Sequence, residues 1–255
     1  MARTDPDAPA STAWRIERAA LLRTSLVVAT AVAVYGLSFG ALAVAAGFSL
    51  AQTCAMSLFM FNGASQLAFV GTLGAGGSML VAVASALLIG ARNASYGVRL
   101  APLLGIRGLR RMLAAVVTVD ESTALAMANE RADDRGRAGR FGFWSAGVAV
   151  YLLWNLTTVI GAIAAQHLGD PRALGLDSAV AAGLAALVWP SLRDAATRRA
   201  AAVAALVAIA LTPVAPAGVP VILAGLVAVA VVVRVDRALP SRSAALPRDA
   251  FGTAA

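Results

Sequence analysis

Three clusters of polar residues interrupt otherwise apolar sequence, and each carries side chains that can hold or move charge. The first is Asn62-Gly63-Ala64-Ser65-Gln66, two amides and a hydroxyl in the middle of an apolar run. Asn62 and Gln66 are four apart and share a helix face. Gly63 lets another helix or a ligand approach the backbone, or lets the helix break. A broken helix frees N–H and C=O groups that can bind a carboxylate and an ammonium. The same amides also serve as hydrogen-bonding glue between helices, and both uses stay open. The second cluster is Arg92-Asn93-Ala94-Ser95-Tyr96, followed by Arg99. Arg92 comes 14 residues after Ser78, about 21 Å along a helix, which puts it deep in the apolar stretch. Its guanidinium suits a ligand's carboxylate, a pair with Asp120 or Glu121, or a snorkelling position at the interface. The third cluster is the adjacent pair Asp120-Glu121. Burial favours the neutral form of a carboxyl group, so such acids can carry protons or meet an ammonium. Alternatively they face water or the arginines at 107–111.

Other polar residues have blander readings. Trp154-Asn155 lies inside a fifth apolar run, His167 near its outer end, and Asp177 is placed as a first-turn acid of the next helix. No catalytic set, cofactor site or metal site is expected. The chain has one His and one Cys, and no H-E-x-x-H, Walker A or G-x-S-x-G motif occurs. The single Cys54 excludes an intrachain disulfide.

The elements that must position these residues are membrane helices. From Thr24 to Ala91 there are 68 residues without Asp, Glu, Lys or Arg, where one bilayer crossing needs about 20 apolar residues. Overall 60% of residues are hydrophobic and 13% charged, against about 25% charged in globular chains. The reading is an all-α, polytopic helical membrane protein. Its apolar segments run 24–46, 50–73, 78–106, 112–129, 141–167, 175–192, 200–212 and 218–234, giving seven to eight membrane segments with at least one broken or re-entrant. Residues 1–20 are expected to be a disordered cytoplasmic tail, 21–236 the transmembrane domain, and 237–255 a second disordered tail. The net charge of +8 comes from arginine alone. Those arginines sit in short loops and tails, the pattern of the positive-inside rule; no basic face for nucleic acid is evident. The first apolar run is too long for a signal peptide.

Orientation leaves one conflict. Clusters at Arg15/Arg18/Arg23, Arg131/Arg135/Arg137/Arg140, Arg193/Arg198/Arg199 and Arg234/Arg237/Arg242/Arg248 are all compatible with the cytoplasm. Arg107, Arg110 and Arg111 are periplasmic if the first four segments all cross. They are cytoplasmic if one of the first three is re-entrant and 112–129 does not cross. That last segment is the poorest span, because each central acid costs roughly 2.5–3.5 kcal/mol on insertion. A weak internal repeat relates Phe39-Gly40-Ala41-Leu42-Ala43 to Ile160-Gly161-Ala162-Ile163-Ala164 at an offset of 121. A unit with an odd number of spans would come out inverted.

Taken in order, Gly36…Phe39-Gly40, Asn62-Gly63-Ala64-Ser65-Gln66, Arg92 with Tyr96-Gly97 and Leu100-Ala101-Pro102, Asp120-Glu121, Trp154 and Gly175-Leu176-Asp177 resemble the AzlC family, from about Leu26 to Val233. Gly90 and Asn93 stand where members often carry Asn and His. The resemblance implies the large subunit of a branched-chain amino-acid exporter of the inner membrane. It also implies a small hydrophobic AzlD-type membrane subunit as partner and the proton motive force as driver. Asn62, Ser65, Gln66, Arg92 and Asn93 are then the expected substrate-binding residues, and Asp120 and Glu121 the proton or ammonium handlers. A passive channel, or a scaffold whose small partner does the transporting, is the competing expectation.

Overall fold

The computed structural model of the chain describes residues 10–130, 136–168 and 189–238. It separates into two units, Met1–Leu187 with Pro216–Gly218 and Val188–Ala215 with Val219–Ala255. In chain order the first unit holds α1 (Ala10–Ala45), α2 (Leu50–Phe59), α3 (Gly63–Gly74), α4 (Met79–Gly90), α5 (Arg92–Leu104), α6 (Leu109–Val116), α7 (Asp120–Ala128) and α8 (Arg137–Leu168). The second holds a 3-10 turn at Trp189–Arg193, α9 (Ala195–Leu211) and α10 (Val219–Ala238), the last two packed on each other. Asp194 caps α9, its carboxylate accepting from the Thr197 N–H at 2.7 Å and hydroxyl at 2.9 Å. Those bonds hold its carboxyl below the usual carboxylate range.

No strand occurs among the described residues, as lipid demands of any chain that does not close a barrel. Among the described residues three stretches are long and apolar enough to cross a bilayer: Thr12–Ala45, Met79–Leu104 and Arg137–His167. The middle one joins α4 and α5 through Ala91, whose backbone stays right-handed helical.

The frame is the α1–α8 pair. Its contacts keep a nearly constant offset: Ser25 bonds Ser145 at 2.7 Å, and Gly36 abuts Thr157. Gly40 lies on the carbonyl of Thr158, and Gly161 lies on the carbonyl of Leu37. A shift of 121 in numbering exchanges these last two contacts. The internal repeat is therefore expressed as two helices running side by side in the same direction. This corrects the expected inversion. Small residues at the crossing let the backbones touch, which is how helices gain packing energy where no hydrophobic force drives them together.

The shorter helices fold back rather than cross. α2 starts beside the end of α1, opened by a Ser49–Gln52 capping box. It descends until Ser57 meets Thr158 at 3.3 Å and the Leu58 carbonyl accepts from Tyr151 Oη at 3.2 Å. α3 then begins at Gly63 against Trp154 and ends at Gly74 against Ala46, back where α2 began. Gln66 Nε2 reaches the Met56 carbonyl at 3.3 Å. Ten residues of continuous helix would hold those groups about 15 Å apart. The second apolar segment is thus a re-entrant hairpin with its tip at Met60-Phe61-Asn62.

α6 and α7 make a second hairpin from the other side. α6 rises from Leu109 to Val117, which packs on Gly147; α7 returns so that Leu125 meets Gly142 and Ala126 meets Gly139. Its tip is Val117-Thr118-Val119. Of the five segments expected between 24 and 167, three form helices long and apolar enough to cross and two fold as hairpins, the alternative in which one early segment is re-entrant and 112–129 does not cross.

The arginine conflict resolves with this. Arg137 lies 4.0 Å over the Trp14 ring and Arg18 lies 5.3 Å over the Phe141 ring. Arg140 Nη1 donates to the Leu103 carbonyl at 3.3 Å, joining the end of α5 to the start of α8. The α5–α6 loop with Arg107, Arg110 and Arg111 therefore sits at the same end as Arg15 and Arg18. The positive-inside rule assigns that end to the cytoplasm.

α1 begins at Ala10, within the stretch 1–20 expected to be a tail, and α10 runs to Ala238. Arg131, Arg135, Gly175-Leu176-Asp177 and most of segment 175–192 lie outside the described residues.

Candidate functional site

The two hairpin tips approach each other beside the α4–α5 junction, and a cavity lies between them. α3 contributes its first turn, Asn62, Gly63, Ala64 and Leu67. α5 contributes Arg92 and Asn93, and α7 contributes Val119, Asp120 and Glu121. Val32 and Tyr35 of α1, Phe61, and Val150 and Trp154 of α8 complete the wall.

Each tip is built from local chemistry. Asn62 is the N-cap of α3: its Oδ1 accepts from the Ser65 N–H at 3.2 Å, leaving the N–H groups of Gly63 and Ala64 without a partner inside the helix. Gly63 is required by Trp154, since a Cβ there would lie 2.6 Å from the indole Cη2. At the other tip the Ser122 hydroxyl accepts from the Val119 N–H at 3.1 Å and donates to the Val117 carbonyl at 2.7 Å. Asp120 and Glu121 occupy the first turn of α7, where the helix dipole favours negative charge.

The charges are unequally used. Asp120 is held on both oxygens, Oδ2 by Arg92 Nη2 at 2.6 Å and Oδ1 by the Tyr96 hydroxyl at 2.8 Å. Glu121 lines the same cavity, and among the described residues it enters no ion pair. Asn93 Nδ2 donates to the Thr118 carbonyl at 3.0 Å, whereas its buried Oδ1 has no partner. One level nearer the end that carries Arg18 and Arg140, Arg99 Nη2 pairs with Glu130 Oε2 at 2.8 Å.

The cavity gathers five of the seven expected site residues: Asn62, Arg92, Asn93, Asp120 and Glu121. Ser65 and Gln66 are turned elsewhere. The Ser65 hydroxyl donates to the Ala86 carbonyl of α4 at 2.9 Å. Fully buried Gln66 donates to the Met60 carbonyl at 2.9 Å and accepts from Trp154 Nε1 at 3.0 Å. It thereby joins the Asn62 N–H, at 2.7 Å, on a carbonyl that the helix break leaves without its i+4 donor, and it fixes the indole that forms one wall. Tyr96 was missed as a functional residue. Its position four after Arg92, on the same helix face, was the available signal. Trp154 stood out in the sequence, but nothing there linked it to Gln66.

Gln66→Ala is expected to act on stability before it acts on binding. It leaves the buried Trp154 N–H unpaired, at about 1–3 kcal/mol, and takes one of two donors from the Met60 carbonyl, which keeps the Asn62 N–H at 2.7 Å. Thermal unfolding of the purified protein in detergent checks this: an unchanged midpoint would refute the stitching role.

The apolar half of the cavity, from Val32, Phe61, Leu67, Val150 and Trp154, faces a polar half made of helix N-termini and acids. Such a site suits a small ligand with a hydrophobic body and both signs of charge at one end. Among known proteins, the family model described as "AzlC protein" matches residues 27–168, more than half of the chain and all of the cavity. No curated protein and no solved structure matches.

Proposed function

The chain belongs to the AzlC family, one linked to branched-chain amino-acid transport, and on that premise we propose that it is the large subunit of a secondary exporter of branched-chain or similar apolar amino acids in the inner membrane. The observation that carries this reading is the division of the cavity. The unpartnered N–H groups of Gly63 and Ala64, at the positive pole of α3, receive the substrate carboxylate. Glu121 receives the ammonium, or a proton when the site is empty. Val32, Leu67, Val150 and Trp154 surround the aliphatic side chain.

Arg92 has a different part from the one its charge first suggests. With Asp120 already bound to it, it positions the α7 acids and does not compete with the α3 N-terminus for carboxylate. Ser65 and Gln66 hold the shape of the first hairpin. Coupling to the proton motive force fits one free acid in a cavity that an ammonium and a proton would occupy by turns. The partner in this reading is a small hydrophobic AzlD-type subunit.

The test is efflux from cells loaded with dipeptides of Leu, Val or Ile, with and without the small partner. Co-expression should raise efflux above that of a deletion strain, and an uncoupler should abolish the gain. Efflux indifferent to the uncoupler would point to a passive channel, and no gain at all would refute the reading. Glu121→Gln is expected to lower efflux about 10–100-fold, the cost of a lost charge-assisted hydrogen bond to the ammonium. Wild-type efflux from this variant would remove Glu121 from the mechanism.

A further inference from the structure

Beside the central cavity, between α5 and α6, lies a second and much wider space. Its volume is about 870 Å³, against about 60 Å³ for the central cavity. Its wall runs from Asn93 and Thr118 at mid-depth, past Gly97 and Ala115, to Arg107 and Arg111 at the cytoplasmic end. Asn93 is common to both spaces. Its hydrogen bond to the Thr118 carbonyl, 3.0 Å long, joins α5 to the tip of the second hairpin and lies on the boundary between the two spaces.

We propose that this space is a water-filled cytoplasmic vestibule through which substrate reaches the central cavity, and that the Asn93–Thr118 hydrogen bond is the door between them. Four features support it. The mouth carries two guanidinium groups, which draw in a carboxylate-bearing solute and would be misplaced against lipid tails. The middle is lined by Gly97 and Ala115, which leave the bore open; a Cβ built at Gly97 meets nothing within 4 Å. At the inner end the bond to Thr118 is made by a side chain whose other polar atom, Oδ1, is buried without a partner. A ligand ammonium arriving at Oδ1 supplies that partner, so occupancy and door position are linked through one amide. Finally, the door stands on the tip of a hairpin open to the cytoplasmic end, the side from which an exporter must load. The inference rests on the export reading for its direction of travel, but the presence of water in the space does not depend on what is carried.

The experiment is thiol accessibility in membranes. Cys54→Ser removes the only native thiol, and Gly97→Cys or Ala115→Cys then places one in the vestibule. Leu152→Cys on the exposed face of α8 serves as the lipid-facing control. A charged, membrane-impermeant methanethiosulfonate is applied to inside-out and right-side-out vesicles, made with and without the small partner subunit. Only a thiolate reacts, and an apolar setting keeps the thiol protonated. Both vestibule cysteines should therefore label at least about tenfold faster than Leu152→Cys, and only from the cytoplasmic face. In the same vesicles Asn93→Ala should extend labelling to a cysteine placed at Ala64, beyond the door.

Labelling no faster than the control would mean the space holds lipid and would overturn the proposal. So would labelling that disappears when the small partner is present, which would make the space that partner's seat. Labelling of both cysteines combined with absent dipeptide-loaded efflux would keep the vestibule and refute the substrate assignment instead.

Discussion

Replacing Arg92 with alanine should cost about 2–3 kcal/mol of stability and abolish transport, and replacing Asp120 with asparagine in the same chain should restore much of the stability but none of the transport. Removing one partner of a buried ion pair costs roughly 3–5 kcal/mol, because the other charge is left without compensation. The side chains here are 40% and 29% exposed, so water in the cavity screens part of that cost and brings it down to about 2–3 kcal/mol. Asp120 would keep only the Tyr96 hydroxyl, too little to hold a carboxylate at mid-depth in a bilayer. Asp120→Asn removes the stranded charge and explains the expected rescue. Transport stays lost because the Arg92–Asp120 pair no longer fixes the first turn of α7 beside Glu121, although the Asn93–Thr118 bond still ties the tip to α5. Thermal melts of the two single variants and the double variant give the coupling energy. A double variant no more stable than Arg92→Ala would mean that the pair does not hold the tip.

The second large effect belongs to the frame. Gly40→Ala and Gly161→Ala should each lower stability by at least about 2–3 kcal/mol, near the upper end for over-packing. In each case the new methyl would land on a backbone carbonyl of the facing helix. A flexible side chain could turn away, but a carbonyl inside a hydrogen-bonded helix cannot, so α1 and α8 would have to separate. Gly97→Ala, where a Cβ meets nothing within 4 Å, should be nearly silent in the same melts. Equal midpoints for all three variants would show that the two helices slide apart at little cost.

What was legible in the sequence follows from which physics is local. The charge-free run from Thr24 to Ala91 shows membrane burial directly, because no soluble packing tolerates it. A break at Asn62-Gly63 was readable as one use of that cluster, since it rests on residue types within one run; the pairing of Arg92 with the 120–121 acids, which lie in another run, was one of three uses the sequence left open. Topology was not readable. A hairpin of 10 and 12 helical residues has the same apolar length as one crossing of about 20, so composition cannot separate them. Nor could the facing of Ser65 and Gln66 be read. The chain reverses at Met60–Asn62, and helical spacing counted from α2 does not carry through that reversal. Only Trp154, contributed from 88 residues further along, shows where Gln66 points.

That last bond also has a consequence for how the protein is made. Gln66 closes the first hairpin through Nε2, and its Oε1 accepts from an indole 88 residues downstream. At about 5–20 residues per second of synthesis, Trp154 leaves the ribosome about 4–18 s after Gln66 does. During that interval the first hairpin has been produced but lacks its wall. Its tip, with the exposed ends of two half-helices, must wait in the insertion machinery or in the care of a chaperone until α8 arrives. The order of synthesis thus leaves a part of the central cavity that is made early waiting for one that is made late.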